Sequence, residues 1–505
     1  MFARLAELPL LVVLLGATGG FTMLPAVHAA LTNQNELARD FFYAGLALVM
    51  LTVMLGIATA ACRPRNAARS HLGALAGAYL VLPLAMALPL VQAVPDTSLM
   101  NAWFEMVSCF TTTGASVYAP DRLADSVHLW RATVGWFGGF FSLVAAYAVL
   151  APLNLGGAEV ISGRVPGRGA IGATQITRVA EPSQRITRYA LLIFPVYSGL
   201  TALLWLGLLV FGDDGVTALT HAMGTLSTSG ISAGTGVASA PAGLPGEMLI
   251  FAFLIFAVTR RALPGTGLAD RSRPLLADPE LRLAGFLLTL VTVTLVLRHW
   301  LVAGSGGNLG DPVSILSALW GGIFTAASFL TTTGYQSAFW GSTTNWSGLG
   351  APGLVLLGLA IVGGGVATTA GGLKLLRVYA LFRHGERELE RIIHPNSLGH
   401  GGIDARRLRR EGAHMAWIFF MLFAISVAVV MATICILGVA FDAALVLTIA
   451  ALSNTGPLAD VATLDPIPYA GLSDPVKIVL GAAMVVGRLE TLALIALLAP
   501  GGWRR

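Results

Sequence analysis

Long apolar stretches separated by short polar segments recur along the whole chain. A helix needs about 20 mostly apolar residues to cross the hydrocarbon core of a bilayer. Ten stretches reach that length, and we predict spanning helices at residues 8–30, 40–61, 72–94, 128–151, 187–211, 245–260, 283–302, 352–381, 414–440 and 475–499. The even number predicts that both termini lie on one side of the membrane.

The composition agrees with a chain that crosses the bilayer many times. Hydrophobic residues make up 55% of the chain and charged residues only 11%, whereas a soluble globular protein carries about 25% charged residues. Because apolar stretches continue for hundreds of residues, we interpret the first one as a retained helix and not as a signal peptide. The three cysteines lie far apart without metal-ligand spacing, and we interpret them as packing residues.

Basic residues are distributed unequally between the two sets of loops. All but six of the 31 Lys and Arg residues fall in one set, which includes the basic loop 374–411. The six exceptions are Arg39, Arg122, Arg131, Arg298, Lys477 and Arg488. Cytoplasmic loops carry the excess of Lys and Arg, so we predict that this set and both termini are cytoplasmic. The opposite loops are acidic, which favours cations at a pore mouth but is also compatible with ordinary loop surface.

Four similar segments lie between predicted spans, on the side opposite to the basic loops. They are residues 104–116, 221–232, 325–337 and 448–458, and each contains an apolar run, several polar residues and a glycine. A helix over 101–113 would be about 20 Å long, too short for a core of about 30 Å. We therefore predict four re-entrant segments, in which a short pore helix enters the membrane and a polar loop returns.

The polar loops are predicted to form a cation filter. Non-helical backbone at membrane depth is tolerated only where it is buried in protein or lines a wet cavity, and rings of carbonyl oxygens can replace the water around a cation. Glycine tolerates the positive φ that turns consecutive carbonyls toward one axis. The predicted K+ ligands are Thr111, Thr112, Thr113, Gly114, Ser227, Thr228, Ser229, Gly230, Thr331, Thr332, Thr333, Gly334, Ser453, Asn454, Thr455 and Gly456. One such motif would indicate only close helix packing, whereas four equivalent motifs favour a pore.

The motifs TTTGAS, STSGIS, TTTGYQS and SNTGP resemble the four filters of the Trk/Ktr/HKT superfamily of potassium transporters. Two extra N-terminal spans resemble the Trk branch. The resemblance implies an all-α polytopic membrane protein in which four span–pore helix–span repeats surround one central pore with pseudo-fourfold symmetry. Glycine at all four filter positions is the potassium-permissive pattern, but Ser229, Asn454 and Pro457 depart from it, so we expect modest selectivity over sodium.

The resemblance also divides the chain. Residues 1–70 are expected to form the two extra helices. Repeats 1 to 4 are expected at 71–160, 161–275, 276–400 and 401–505. The corresponding filters are expected at 111–116, 227–232, 331–336 and 453–458.

The eighth predicted span is interrupted by glycines about 17 Å from its start at the helical rise. Since each glycine costs about 1 kcal/mol relative to alanine in a helix, we predict a break at 363–372, similar to the family's intramembrane gating loop, or else close helix packing. The predicted gate residues are Gly363, Gly364, Gly365, Gly371, Gly372, Lys374 and Arg488.

Arg488 lies at a similar depth, where a charge is costly and marks function. Glu490 is two residues away and faces elsewhere, so we expect carbonyls of the loop 363–372 to bind Arg488; an ordinary buried ion pair is the alternative. Lys374 is expected either to anchor the loop or to snorkel to the membrane surface. Glu105 is expected to orient the first filter or to attract cations; a structural hydrogen bond is the alternative.

The sequence thus predicts channel-like potassium uptake across the cytoplasmic (inner) membrane of a bacterium, with K+ as the permeant ion and no organic cofactor. An enzyme is disfavoured, because the nine histidines are scattered and no nucleophile or phosphate-binding motif is present. A sodium- or proton-coupled carrier and an ammonium-permeable transporter stay open. The resemblance implies a homodimer with a cytosolic nucleotide-binding regulatory subunit. Lipid is the expected surrounding and no nucleic-acid partner is expected.

Overall fold

The computed structural model describes residues 9–59, 67–151, 182–234, 236–262, 275, 278–303, 312–348, 352–394, 412–463 and 465–489. The described part is all-α and has no β-strand. Within the described ranges, seven helices are long and apolar enough to cross a membrane: Leu10–Leu31, Asn35–Thr59, Gly73–Ala93, Asp125–Leu150, Arg185–Val210, Pro279–His299 and Ala413–Ile436. They correspond to seven of the ten predicted spans and confirm a polytopic membrane protein.

The helices follow the predicted order of two extra spans and four repeats. The extra spans are α1 (Leu10–Phe21) with α2 (Met23–Leu31), and α3 (Asn35–Thr59). Repeat 1 contains α4 (Ala67–Ala93), the pore helix α5 (Leu99–Phe110) and α6 (Asp125–Ala145), which a π-helical turn extends to Leu150. Repeat 2 contains α7 (Pro182–Val210), the pore helix α8 (Gly215–Ser227), α9 (Gly243–Phe253) and α10 (Ile255–Val258).

Repeats 3 and 4 contain additional short helices. Repeat 3 contains α11 (Pro279–Ala303), the pore helix α12 (Pro312–Leu330), α13 (Trp340–Ser347), α14 (Pro352–Val362) and α15 (Leu375–Ile393). Repeat 4 contains α16 (Ala413–Ile436), the pore helix α17 (Phe441–Leu452), α18 (Leu458–Val461) and α19 (Asp474–Leu489). Short 3-10 turns occur at Pro120–Arg122, Val237–Ser239, Arg260–Ala262 and Tyr469–Gly471.

The four repeats close into a ring around one axis. In each repeat we call the apolar helix between the filter and the end of the repeat the inner helix: α6, α9 with α10, α14 and α19. Each pore helix packs against the inner helix of the repeat before it: α8 against α6, α12 against α9, and α17 against α14. The first pore helix, α5, packs against α19, the inner helix of the last repeat. This cyclic packing gives the pseudo-fourfold arrangement around a central pore.

Three of the ten predicted spans are not described as helices long enough to cross a membrane, and all three are inner helices. The span predicted at 245–260 is the short apolar helix Gly243–Val258, and the span predicted at 352–381 ends at Val362 and resumes at Leu375. The last one is described only to Leu489, so its predicted continuation to 499 lies outside the described residues. The inner helix of repeat 2 ends early because the Gly365 amide binds the Ala257 oxygen, at 2.9 Å, which a longer helix would use itself.

An aromatic cluster fixes the end of the first pore helix. The ring of Phe110, the last residue of α5, lies 5.0 Å from the ring of Tyr79 and 5.8 Å from the rings of both Phe137 and Phe141. A Cβ atom on Gly138 would collide with the Phe110 carbonyl oxygen. The filter after Phe110 is therefore held on a rigid, closely packed support.

Candidate ion-conduction site

All four pore helices end in the same backbone turn. One residue in each turn has positive φ. It is the second residue after the helix in three repeats, at Thr112 (57°), Thr332 (58°) and Asn454 (54°), and the first residue after the helix in repeat 2, at Thr228 (53°). The next residue donates its amide to a carbonyl five residues earlier, as in a Schellman motif. These bonds are Thr113 to Ser108 (2.8 Å), Ser229 to Gly224 (2.9 Å), Thr333 to Ser328 (2.9 Å) and Thr455 to Ala450 (2.8 Å).

The sequence reasoning missed this turn because it assigned positive φ to the glycines. Threonine is β-branched and adopts positive φ at a cost, so its identity at three of these positions gives no conformational signal. Only Asn454, from a residue type that tolerates this region, offers one. The recurrence of a strained conformation at four equivalent positions indicates that the surrounding ring enforces it.

The filter glycines meet the neighbouring segment in cyclic order. Gly114, Gly230 and Gly334 have φ of 75°, 63° and 83°. A Cβ atom added to Gly114 would collide with the Ser229 oxygen, and one added to Gly230 would collide with the Thr333 oxygen. A Cβ atom added to Gly334 would lie 2.8 Å from the Pro457 ring. The predicted positive φ is wrong for Gly456, where a Cβ would instead lie 2.6 Å from the Ala115 Cα. The four segments therefore form a closed ring without room for side chains.

The fourth segment lies against the first. The Gly456 amide donates to the Thr113 carbonyl oxygen at 2.6 Å. The Asn454 amide group donates to Thr113 Oγ1 and to the Met484 oxygen, both at 3.0 Å. These hydrogen bonds to the first repeat hold the backbone of the fourth segment. They explain why Gly456 lacks the positive φ of the other three filter glycines.

The side-chain hydroxyl groups of the filter pair within each segment. The Oγ–Oγ distances are 2.8 Å for Thr111 and Thr113, 2.9 Å for Ser227 and Ser229, 3.1 Å for Thr331 and Thr333, and 3.2 Å for Ser453 and Thr455. All eight side chains are buried. This pairing occupies the hydroxyl groups of the first and third residue of each segment, whereas Thr112 Oγ1 is buried without a hydrogen-bond partner among the described residues. The main-chain oxygens and this hydroxyl group are the ligands that the ring can offer a cation.

Two buried carboxylates hold the segments that follow the first and third filters. Glu105 accepts from the Val117 amide (2.9 Å) and the Ser116 hydroxyl (3.2 Å), and its other oxygen binds Arg131 Nε at 2.7 Å. Glu105 is fully buried, so its role here is to orient the backbone and not to attract cations from solution. A buried charge is retained when it is paired and hydrogen-bonded, as this one is.

The equivalent support for the third filter comes from repeat 2. Glu247 accepts from the Ser337 hydroxyl, the Ala338 amide and the Trp320 indole, each at 2.7 Å. The sequence reasoning missed Glu247, because nothing in the sequence relates it to a filter about 90 residues away. The presence of a carboxylate in an apolar helix was the one available signal.

A vestibule of about 260 Å³ opens onto the glycine ring. Gly114, Gly230, Gly334, Pro457 and Asp460 are among the residues that line it. Asp460 is exposed in this vestibule, and its partial withdrawal from bulk water raises the pKa of its carboxyl. The vestibule therefore gives solvent access to the glycine ring.

The break predicted at 363–372 is a loop whose two ends touch. Gly363 and Gly372 both have positive φ, of 73° and 74°, and a Cβ on Gly363 would lie 2.7 Å from the Gly372 Cα. Cβ atoms on Gly364 and Gly365 would collide with the end of α10, at the Ala257 and Val258 backbone. The glycines therefore allow the loop to pack into a space that no side chain could enter.

The loop 363–372 is tied directly to the filter segments. The Gly371 amide donates to Thr332 Oγ1 of the third filter at 2.7 Å. Thr369 Oγ1 donates to the Leu226 oxygen at the end of the second pore helix, at 3.1 Å. A Cβ on Gly371 would collide with the Ser453 oxygen of the fourth filter. The loop thus lies immediately beneath three of the four filters.

Arg488 binds the loop from repeat 4. Its Nη1 donates to the Thr369 oxygen at 2.6 Å, and its Nη2 donates to Ser142 Oγ on α6 at 2.5 Å. Lys374 is 9% exposed and donates to the Ala370 oxygen within the loop, so it is buried and does not snorkel. Both residues line a cavity of about 40 Å³. Glu490 lies outside the described residues.

Comparisons with known proteins match this arrangement. The family model described as "TrkH: Cation transport protein" matches residues 250–501. A protein named "Trk system potassium uptake protein TrkH" from Salmonella typhimurium is 31% identical over 434 residues, which cover 84% of each chain. A protein of the same name from Halomonas elongata is 28% identical over 498 residues, or 96% of each chain.

The fold also matches a solved structure. The crystal structure of the potassium transporter TrkH from Vibrio parahaemolyticus superimposes with a TM-score of 0.79 over 100% of both chains, at 24% sequence identity. At that identity the likeness establishes the architecture alone.

Proposed function

This chain belongs to the TrkH family of cation transport proteins, and we propose that it takes up potassium through the central ring of four filter segments. The observation that carries the proposal is the cyclic contact of the filter glycines, each of which faces the next segment. Four such segments on one axis offer main-chain oxygens in rings, and these oxygens can replace the hydration shell of K+. The names of the related proteins agree with potassium as the ion.

The sixteen predicted ligands are proposed to form this filter, with Rb+ accepted and Na+ conducted less well. The pore helices contribute to the preference for cations, because their negative C-terminal ends point toward the ring. Channel-like conduction is favoured by the position of the charged groups. The carboxylates beside the filter, Glu105 and Glu247, are occupied by structural hydrogen bonds, so neither is placed as the titratable site of a coupled carrier.

The loop 363–372 is proposed to be the gate, and Arg488 its latch. The loop lies against the second, third and fourth filters, where it obstructs an ion that leaves them. Arg488 holds the loop through Thr369 and adds a positive charge that opposes cation passage. Opening requires the loop to give up its bonds to Thr332, Leu226 and Arg488.

We place the protein in the bacterial inner membrane with both termini in the cytoplasm, following the distribution of Lys and Arg. A homodimer and a cytosolic nucleotide-binding regulatory subunit are proposed from the family resemblance. The basic segment 374–411 is the proposed contact with that subunit, and anionic lipid is an alternative ligand for the same charges.

Ion flux into proteoliposomes tests the proposed function. Purified protein should admit K+ and Rb+ faster than Na+ or NH4+ when a gradient of each ion is imposed. The Gly114→Ser variant should lose most of the K+ flux, because an added side chain meets the Ser229 oxygen and the residue has positive φ. Strict coupling of K+ entry to a proton or sodium gradient would instead support a carrier.

A further inference from the structure

One residue makes the filter asymmetric at its outer end. The residue after the filter glycine is Ala115, Ile231 or Tyr335 in the first three repeats, and Pro457 in the fourth. Pro457 has φ of −60° and starts the short helix α18. Its ring also lines the vestibule, together with the three glycines of the other repeats.

The Pro457 ring lies close to all three of those glycines. Cβ atoms built on Gly114, Gly230 and Gly334 would be 3.7 Å from its Cδ, 3.6 Å from its Cγ and 2.8 Å from its Cγ, respectively. These glycines belong to three different repeats that surround the axis. A single ring within 4 Å of all three Cβ positions lies where these repeats meet, beside the axis that they surround.

The backbone behind Pro457 is fixed on both sides. The Gly456 amide binds the Thr113 oxygen at 2.6 Å, and the Gly456 oxygen accepts from the Tyr469 hydroxyl at 3.0 Å. The Leu458 amide binds the Thr455 oxygen at 3.2 Å. The ring is thus attached to a rigid turn and cannot leave the entrance without breaking these bonds or changing its pucker.

We propose that Pro457 is a specificity-determining residue that narrows the outer entrance of the filter and limits the size of the cation that enters. This inference rests on the proposed function of the same filter. The ring offers no hydrogen-bond donor or acceptor, so an ion that passes it loses water on that side without a replacement ligand. Larger alkali cations meet the ring itself and are excluded more strongly than K+.

The test compares Pro457→Ala and Pro457→Gly with wild type in proteoliposomes, using K+, Rb+ and Cs+ as the entering ions. Both variants remove the ring and keep a residue that accepts φ of −60°. The Cs+/K+ flux ratio should rise about tenfold, the smallest discrimination that one methylene group typically provides in a binding pocket. Pro120→Ala is the matched control, since Pro120 lines the same vestibule but is not among the atoms nearest to a Cβ on any of the three glycines; its ratio should stay at the wild-type value.

The ratio separates a pore constriction from a purely structural role, because a partly unfolded population lowers all fluxes together. An unchanged Cs+/K+ ratio in both variants, with K+ flux retained, would overturn the inference and leave the proposed function intact. Loss of the wild-type gel-filtration profile in both variants would also overturn it, since Pro457 would then act through folding. Absence of K+ flux in the wild type would contradict the proposed function itself.

Discussion

Replacing Arg488 with alanine is expected to raise basal K+ flux. The side chain is partly buried, and its guanidinium makes one direct hydrogen bond to the loop, to the Thr369 oxygen at 2.6 Å. Its second bond goes to Ser142 Oγ on α6 at 2.5 Å and does not involve the loop. The bond to Thr369 is therefore the one whose loss directly frees the loop 363–372.

The size of the effect follows from that single bond. A hydrogen bond that involves a charged group stabilises by about 1.5–3 kcal/mol. Losing it should change the ratio of closed to open loop by roughly 10- to 150-fold, at 1.4 kcal/mol for each factor of ten. Rb+ uptake into proteoliposomes without a regulatory subunit measures this change, normalised to the amount of protein reconstituted. Basal flux should rise at least about tenfold, up to the limit at which the loop is open in nearly all molecules.

Ser142→Ala provides the matched control, because it removes the second partner of Arg488 and leaves the bond to Thr369. Its basal flux should rise much less than that of Arg488→Ala. Arg488→Lys keeps the charge but not the forked geometry of the two bonds, and should give an intermediate flux. Unchanged or lower flux in Arg488→Ala at normal expression would refute the assignment of Arg488 as a latch.

Three further predictions concern the filter and its entrance. Thr332→Val removes the acceptor of the buried Gly371 amide and should raise basal Rb+ flux, since an unsatisfied buried group costs about 1–3 kcal/mol. Thr228→Val is the control and should not raise basal flux, because the Thr228 hydroxyl binds only the adjacent Ser227 oxygen. Gly230→Ala should abolish K+ flux while the protein still elutes normally, because its Cβ meets the Thr333 oxygen; retained flux would contradict the ring. External acidification should lower K+ flux at subsaturating K+, since Asp460, whose pKa is raised, loses its negative charge at a higher pH than an exposed aspartate, and Asp460→Asn should remove that part of the pH dependence.

The sequence contained enough information for the architecture. Seven spans have the length and hydropathy of ordinary membrane helices, and four glycine motifs at equivalent positions indicate the repeats. The loop 363–372 was also predictable, because five glycines within ten residues are incompatible with a stable helix. These features are local, and local composition reports them directly.

The remaining features depend on contacts between repeats, which no local pattern reports. The strained conformation of Thr112 is set by packing of the ring, and the Gly456 amide binds an oxygen of the first repeat. Glu247 supports the filter of a different repeat from its own. The inner helix of repeat 2 ends early because Gly365 and Thr368 of the loop 363–372 both donate to its Ala257 carbonyl oxygen. The contact of Arg488 with the loop 363–372 was the exception, because a charge inside an apolar span needs a partner at its own depth.

A crystal structure of the protein with bound Rb+ tests the central pore most directly. The anomalous scattering of Rb+ locates the ion without any measurement of flux. Crystals grown in RbCl should show anomalous density on the axis inside the ring of Gly114, Gly230, Gly334 and Gly456, within coordination distance of the Ser229 and Thr333 main-chain oxygens. Anomalous density only outside that ring, or none at RbCl concentrations that saturate transport, would contradict the assignment of these four segments as the ion filter.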